Sequence, residues 1–157
     1  MKNLLLVSLF FILSATTYAQ TKLSFGKTKA DYQRVFGKFI KYYNSGQVDS
    51  IQNLFSDRWG DSKEKSWNEN NIKHTKDELG EIISYKYIGP FEKRIDVDSN
   101  LMPYFKLVFS KPAVSDVKSI NGKRVHAACI SLDKNNKILG IAFITSSPEI
   151  DSMISKY

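Results

Sequence analysis

Histidine is the side chain that most readily moves a proton near neutral pH, and the chain has two, His74 and His126. His126 lies in the apolar run Val125–Leu132, where alternation sets it on one face with Ala128, Ile130 and Leu132. In an earlier run, Tyr85 and Tyr87 share a face with Ile83. A histidine base beside a phenol donor would suit proton transfer next to a carbonyl. That set lacks a carboxylate, because no Asp or Glu falls on the inward parity of these strands. Buried tyrosine and histidine also commonly just find a hydrogen-bond partner. The balance runs against catalysis, and His126 is the one weak candidate for it.

Other chemistries find less support. His74 and His126 have no flanking cysteine or carboxylate at ligand spacing, so no metal site is expected. The chain has neither a nucleophile-elbow serine nor a glycine-rich phosphate loop, and no cofactor is expected. Cys129 is the only cysteine, which excludes an intrachain disulfide. Its neighbours Ala128 and Ile130 suit a small buried residue better than a reactive thiol. Trp59 and Trp67 sit among mixed charges (Asp57, Arg58, Asp61, Lys63, Glu64, Lys65). They either plug one end of the core or form an aromatic lid over a ligand or partner.

The elements that must position these groups follow from periodicity. Tyr32, Val35, Phe36, Phe39, Ile40 and Tyr43 recur at helical steps and predict an amphipathic helix. Gly46 stops it, and Asp49 is placed to cap a shorter helix burying Ile51, Leu54 and Phe55. Residues 56 to 74 read as polar and irregular. A capping box of Thr75 with Glu78 would open a third helix, ended early by Gly80. The period then changes to that of strands: Ile83–Ile88, Phe91–Val97, Met102–Phe109, Val125–Leu132 and Ile138–Thr145. Gly89-Pro90 divides the first two strands, and Asp133–Asn136 turns the last two into a hairpin. Lys111 to Lys123 is an excursion or an extended hairpin. Helices followed by an antiparallel meander give an α+β class with one sheet face covered by helices.

The amino terminus reads as a secretory signal. Lys2 precedes the apolar run Leu4–Leu13, and Thr17-Tyr18-Ala19 offers small residues at a cleavage site. The run is about half of the roughly twenty residues a membrane-spanning helix needs, so cleavage after Ala19 is expected rather than a transmembrane anchor. Residues 20–29 form a polar leader, and 30–157 a single domain with a periplasmic or secreted destination. The 23 basic residues outnumber 16 acidic ones, and only Lys2 lies within the signal. Because Lys and Arg are scattered among acids, solvated surface is expected and nucleic-acid binding is not.

Taken in order, certain motifs match a known family. The first helix closes in Tyr42-Tyr43-Asn44-Ser45-Gly46, and Val48-Asp49-Ser50-Ile51 leads on to Leu54-Phe55-Ser56. Leu79-Gly80-Glu81-Ile82 turns into the first strand, and Leu132 to Ile141 forms the closing hairpin. Over residues 30 to 145 the chain resembles the nuclear transport factor 2-like superfamily. More narrowly, it is similar to a bacterial domain of unknown function found alone or ahead of exported hydrolases. The resemblance implies a cone-like fold in which three N-terminal helices pack on a curved, mostly antiparallel sheet around a pocket. It implies no reaction, because the superfamily spans enzymes, transport factors and domains without known activity.

With strand parity added, the pocket would be walled by Tyr32, Phe36, Phe39, Tyr85, Tyr87, Phe109, Ile130 and His126, with Trp59 and Trp67 at its rim. The expected function is non-enzymatic binding of a small apolar ligand or an envelope protein. The alternative is a small isomerase or cyclase-like enzyme with His126 as its base. Ser84, Lys86, Tyr104, Lys106 and Val125 would share the outer sheet face, too charged for an obligate interface, so a monomer or weak homodimer is expected.

Overall fold

Thr28 starts the first helix by a reciprocal exchange: its hydroxyl accepts from the Asp31 amide (3.2 Å), and the Asp31 carboxylate accepts from the Thr28 amide (3.1 Å). That amide, with the Thr28 hydroxyl, holds the Asp31 carboxyl below the usual carboxylate range. The computed structural model describes residues 27–91, 102–111 and 125–156. Helix α1 runs from Lys29–Ser45 and buries the expected stripe from Tyr32 to Tyr43. Gly46 ends it at φ 68°, donating its amide to the carbonyls of Tyr42 and Tyr43.

The following segment is more helical than its polarity suggests. Helix α2, Val48–Gln52, is entered from Gln47, and Asp49 lies in its first turn rather than at its cap. A 3₁₀ turn at Asp57–Trp59 leads through Gly60 into α3, Asp61–Ser66. Helix α4 spans Glu69–Leu79, with the Asn68 side chain accepting from the Asn71 amide. The helix expected to open at Thr75 thus starts well before the proposed capping box. Thr75 sits inside it, its hydroxyl donating back to the Asn71 carbonyl (2.8 Å). A polar face is enough for a solvent-side helix, so the lack of apolar period misleads there.

Among the described residues four strands follow: β1 Ile82–Phe91, β2 Met102–Phe109, β3 Val125–Leu132 and β4 Ile138–Thr145. They pair antiparallel in sequence order, so the protein is α+β with a four-stranded antiparallel meander. Gly89-Pro90 does not break β1; Gly89 takes φ 100° inside the strand, beside a register shift. The rest of the strand proposed at Phe91–Val97 and the excursion from Pro112 onward lie outside the described residues. Between β3 and β4 the Asp133 carboxylate accepts from the amides of Asn135 (2.8 Å) and Lys137 (2.9 Å). A last helix, α5 at Pro148–Ser155, has no counterpart in the sequence reading. Among the described residues, no helix is long and apolar enough to cross a membrane.

Register shifts decide which residues face which side. One falls between Ile82 and Ser84, leaving Ile82 3% exposed and Ile83 63% exposed. A second falls at Tyr87/Gly89 and a third at Val125/Ala127. An extra residue in one strand reverses the parity of all that follow it. Ile83 therefore does not share the inward face of Tyr85 and Tyr87, and Val125 belongs to the inner core rather than the outer face. That inner core joins α1 to Phe105, Leu107, Ala128, Ile130 and Leu132. On the outer face Ile88, Tyr104, Ala127 and Cys129 pack with Ile154 of α5. Tyr104 is buried there rather than displayed, while Ser84 and Lys86 are exposed as expected.

Candidate functional site

A cavity of about 430 Å³ opens where α3 and α4 face the first half of β4. Its position depends on a short parallel bridge. The Ser56 amide donates to the Ile138 carbonyl (2.9 Å), and the Ile138 amide donates to the Leu54 carbonyl (2.8 Å). This holds Phe55 against the start of β4. Gly60, at φ 48° and ψ −132°, then links the 3₁₀ turn directly to α3. A side chain at that conformation would be strained, so the sharp junction depends on glycine.

The two tryptophans take different places in the cavity. Trp67 ends α3 and packs inward, edge-on to Phe39 (centroids 5.0 Å) and Phe143 (6.4 Å) and tilted on Phe55 (5.9 Å). Trp59 stands at the mouth, 49% exposed. Ile141 and Phe143 complete the apolar surface. The rest of the wall is polar, with Ser62 and Ser66 from α3 and Asn71 and Thr75 from α4, each pair one helical turn apart. The one charged side chain of the cavity is Lys63, whose ammonium lies 3.3 Å from Asp57.

Of the side chains expected to form a pocket, only Trp59 and Trp67 line this cavity. Tyr32, Phe36, Phe39 and Ile130 are fully buried in closed packing; Phe36 and Phe105 stack at 4.1 Å. Phe109 is likewise core, edge-on to Phe143 at 6.0 Å. Tyr85 and Tyr87 do lean toward α1. The Tyr85 ring meets Phe36 edge-on, and its hydroxyl lies where a Cβ on Gly37 would come within 2.8 Å. Tyr87 packs on Phe105 under the Lys29 ammonium, 5.2 Å from the ring centre, and burial raises its pKa. Both phenols stay on the β1 flank, outside the cavity.

His126 is the largest correction. It falls in the register shift at the start of β3, which releases it from the parity of Ala128 and Ile130. Its Nε2 lies 2.8 Å from Oδ1 of Asp151 on α5, the helix that covers the outer face. The two atoms lie at ion-pair distance, and among the described residues neither makes a hydrogen bond. Asp151 Oδ2 accepts from the Ser146 hydroxyl (2.6 Å). The proposed set of His126 with Tyr85 or Tyr87 therefore does not assemble. No protein-family model, curated protein or solved structure matches the chain.

Cys129 is closed off on the same outer face, and burial pushes its thiol up to about 11. Among the described residues no group of three or more His, Cys, Asp or Glu is placed to hold a metal ion. The polar wall is what residue reasoning missed. Ser62 with Ser66 and Asn71 with Thr75 recur at one-turn spacing, but so do polar residues on any solvated helix face. The site combines aromatic surface, hydrogen-bonding side chains and room for a small molecule.

Proposed function

We propose that the protein is an exported, non-enzymatic binding domain that holds a small ligand with an apolar face between Trp59 and Trp67. The observation that carries this reading is the cavity itself, two indoles over an apolar floor whose one charged lining residue, Lys63, is paired with Asp57. A cavity of this size falls within the range of small-molecule sites.

The family reading stands with it as a proposal. Its motif residues sit where the first helix, the Gly80 turn and β1 meet. The Tyr43 hydroxyl donates to the Gly80 carbonyl (3.1 Å), and Asn44 donates to and accepts from the Ile82 backbone at 3.0 Å. Such contacts give the Tyr43-Asn44 pair a structural reason, consistent with a cone-like nuclear transport factor 2-like domain. Export rests on Lys2, the Leu4–Leu13 run and Ala19; mature protein recovered outside the cytoplasm should begin at Gln20. A monomer or weak homodimer is in keeping with an outer sheet face partly occupied by α5.

Fluorescence tests the binding reading. With Trp67→Phe, emission reports Trp59 alone; with Trp59→Phe, it reports Trp67 alone. Ligand entry should shift Trp59 strongly to the blue, because that ring is half exposed, and move Trp67 little. A chemically broad small-molecule set that changes neither emission nor thermal midpoint would end the proposal.

A further inference from the structure

The polar wall carries information about what it can bind, because most of its protons are already committed. The Thr75 hydroxyl donates to the Asn71 carbonyl (2.8 Å), and the Ser62 hydroxyl donates to the Trp59 carbonyl. The Asn71 amide group donates to the carbonyls of Lys65 (2.7 Å) and Ser66 (3.3 Å). A carbonyl oxygen can only accept, so the orientation of each of these groups is fixed by its partner. Thr75 Oγ1, Ser62 Oγ and Asn71 Oδ1 are left with lone pairs and no proton to offer. Of these four side chains, Ser66 has no acceptor for its proton among the described residues, and Lys63 beside it commits one of its three protons to Asp57.

A wall of acceptors selects a ligand that donates. The charge balance narrows the class further. Lys63 is paired with Asp57, so the two charges offset one another and the cavity offers little net positive charge to a carboxylate or phosphate headgroup. Beside the acceptors, Trp59 and Trp67 present indole rings, whose negative faces attract weakly positive C–H groups. A molecule that carries both hydroxyl donors and C–H surface satisfies both sets of groups at once. Resting on the binding reading above, we infer that the ligand of this cavity is a neutral saccharide. One pyranose ring lies against the tryptophans, and its hydroxyls donate to Thr75, Ser62 and Asn71.

Calorimetric titration of the purified protein tests this with cellobiose, maltose and N,N′-diacetylchitobiose, and with dodecanoate as an apolar anionic probe. At least one disaccharide should bind in the micromolar to millimolar range, and dodecanoate more weakly. Thr75→Val keeps the shape of the side chain and removes the acceptor oxygen. It should weaken saccharide binding about three- to tenfold, the worth of one neutral hydrogen bond. Trp59→Ala should weaken it roughly tenfold or more. Neither side chain is deep in the core, so unchanged thermal midpoints will show that the variants fold. Dodecanoate binding that is kept or tightened in Thr75→Val, with no disaccharide bound, would overturn the saccharide inference and leave the binding reading standing. No binding by any probe at millimolar concentration overturns the saccharide inference; the broader small-molecule set decides the binding reading.

Discussion

Beneath α1 the aromatic side chains close on one another: Phe36 stacks on Phe105, Phe39 lies near Phe36 and Tyr43, and all four rings are fully buried. Where α3 and α4 face β4, Phe55, Trp67 and Phe143 are just as aromatic, yet space is left. The covering helices account for the difference. α1 has 17 residues and a buried stripe along its length, whereas α3 has six residues and buries none of them. A helix that sends no apolar side chain downward cannot fill what lies beneath it. The cavity is thus set by what the polar short helix withholds rather than by a special arrangement of the sheet.

This contrast can be broken by measuring what each region loses on truncation. Phe36→Ala should cost about 3–5 kcal/mol in denaturant unfolding, since a fully buried ring is removed from close packing. Trp67→Ala should cost less, about 2–3 kcal/mol, because one side of the indole already borders the cavity. Equal losses would mean that the second region is as tightly filled as the first.

Acid sharpens the same comparison through the frames of the two regions. Asp31 caps α1, and Asp133 fixes the hairpin that carries β4; both carboxyls titrate below the usual range. For Asp31 the Thr28 amide is the main cause. For Asp133 partial burial pushes upward, but the amides of Lys137 and Asn135 and the Ser56 hydroxyl outweigh it. A lowered folded-state pKa gives stability that is present above the unfolded value, about 3.9, and lost as pH falls through the folded value. Asp31→Asn and Asp133→Asn should each flatten part of the fall in midpoint below about pH 4. A variant with the wild-type acid profile would show that its carboxylate gains nothing from those amides. The smallest effect is expected at the cavity mouth: Trp59→Ala should change unfolding free energy by no more than about 0.5 kcal/mol. A core-sized loss there would make Trp59 a plug rather than a lid.

Much of the frame was legible because it is built from long, regular patterns. The α1 stripe, the Gly46 stop, strands β2 to β4 and the Asp133 turn all follow from period and turn chemistry. The errors cluster where one residue alters the count. A shift at His126 moved it from the inner face to Asp151, and shifts near Ile83 and Val125 misassigned those two. Alternation fixes relative faces only while pairing stays in step, and nothing in the residue types around His126 announces the shift. Helix α5 did leave a signal: Pro148 stands at its first position, after Ser146 and Ser147. The site was half visible, since tryptophan stands out by type while Ser62, Ser66, Asn71 and Thr75 look like any wetted surface.

Asn44 and the Leu54–Ser56 segment also bear on how the sheet meets other molecules. Asn44 pairs with Ile82 much as a neighbouring strand would, at the start of edge strand β1. Leu54 and Ser56 do the same by backbone for Ile138, at the start of edge strand β4. Because β1 and β4 run in opposite directions across the meander, the two blocked points lie at diagonal corners. Unpaired sheet edges are templates onto which further chains can add. Here neither edge is open along its whole length, and an incoming strand meets an occupied corner whichever side it approaches. The last turn of α1 and the segment after α2 thus each occupy one end of a sheet edge, against edge-to-edge addition of further strands.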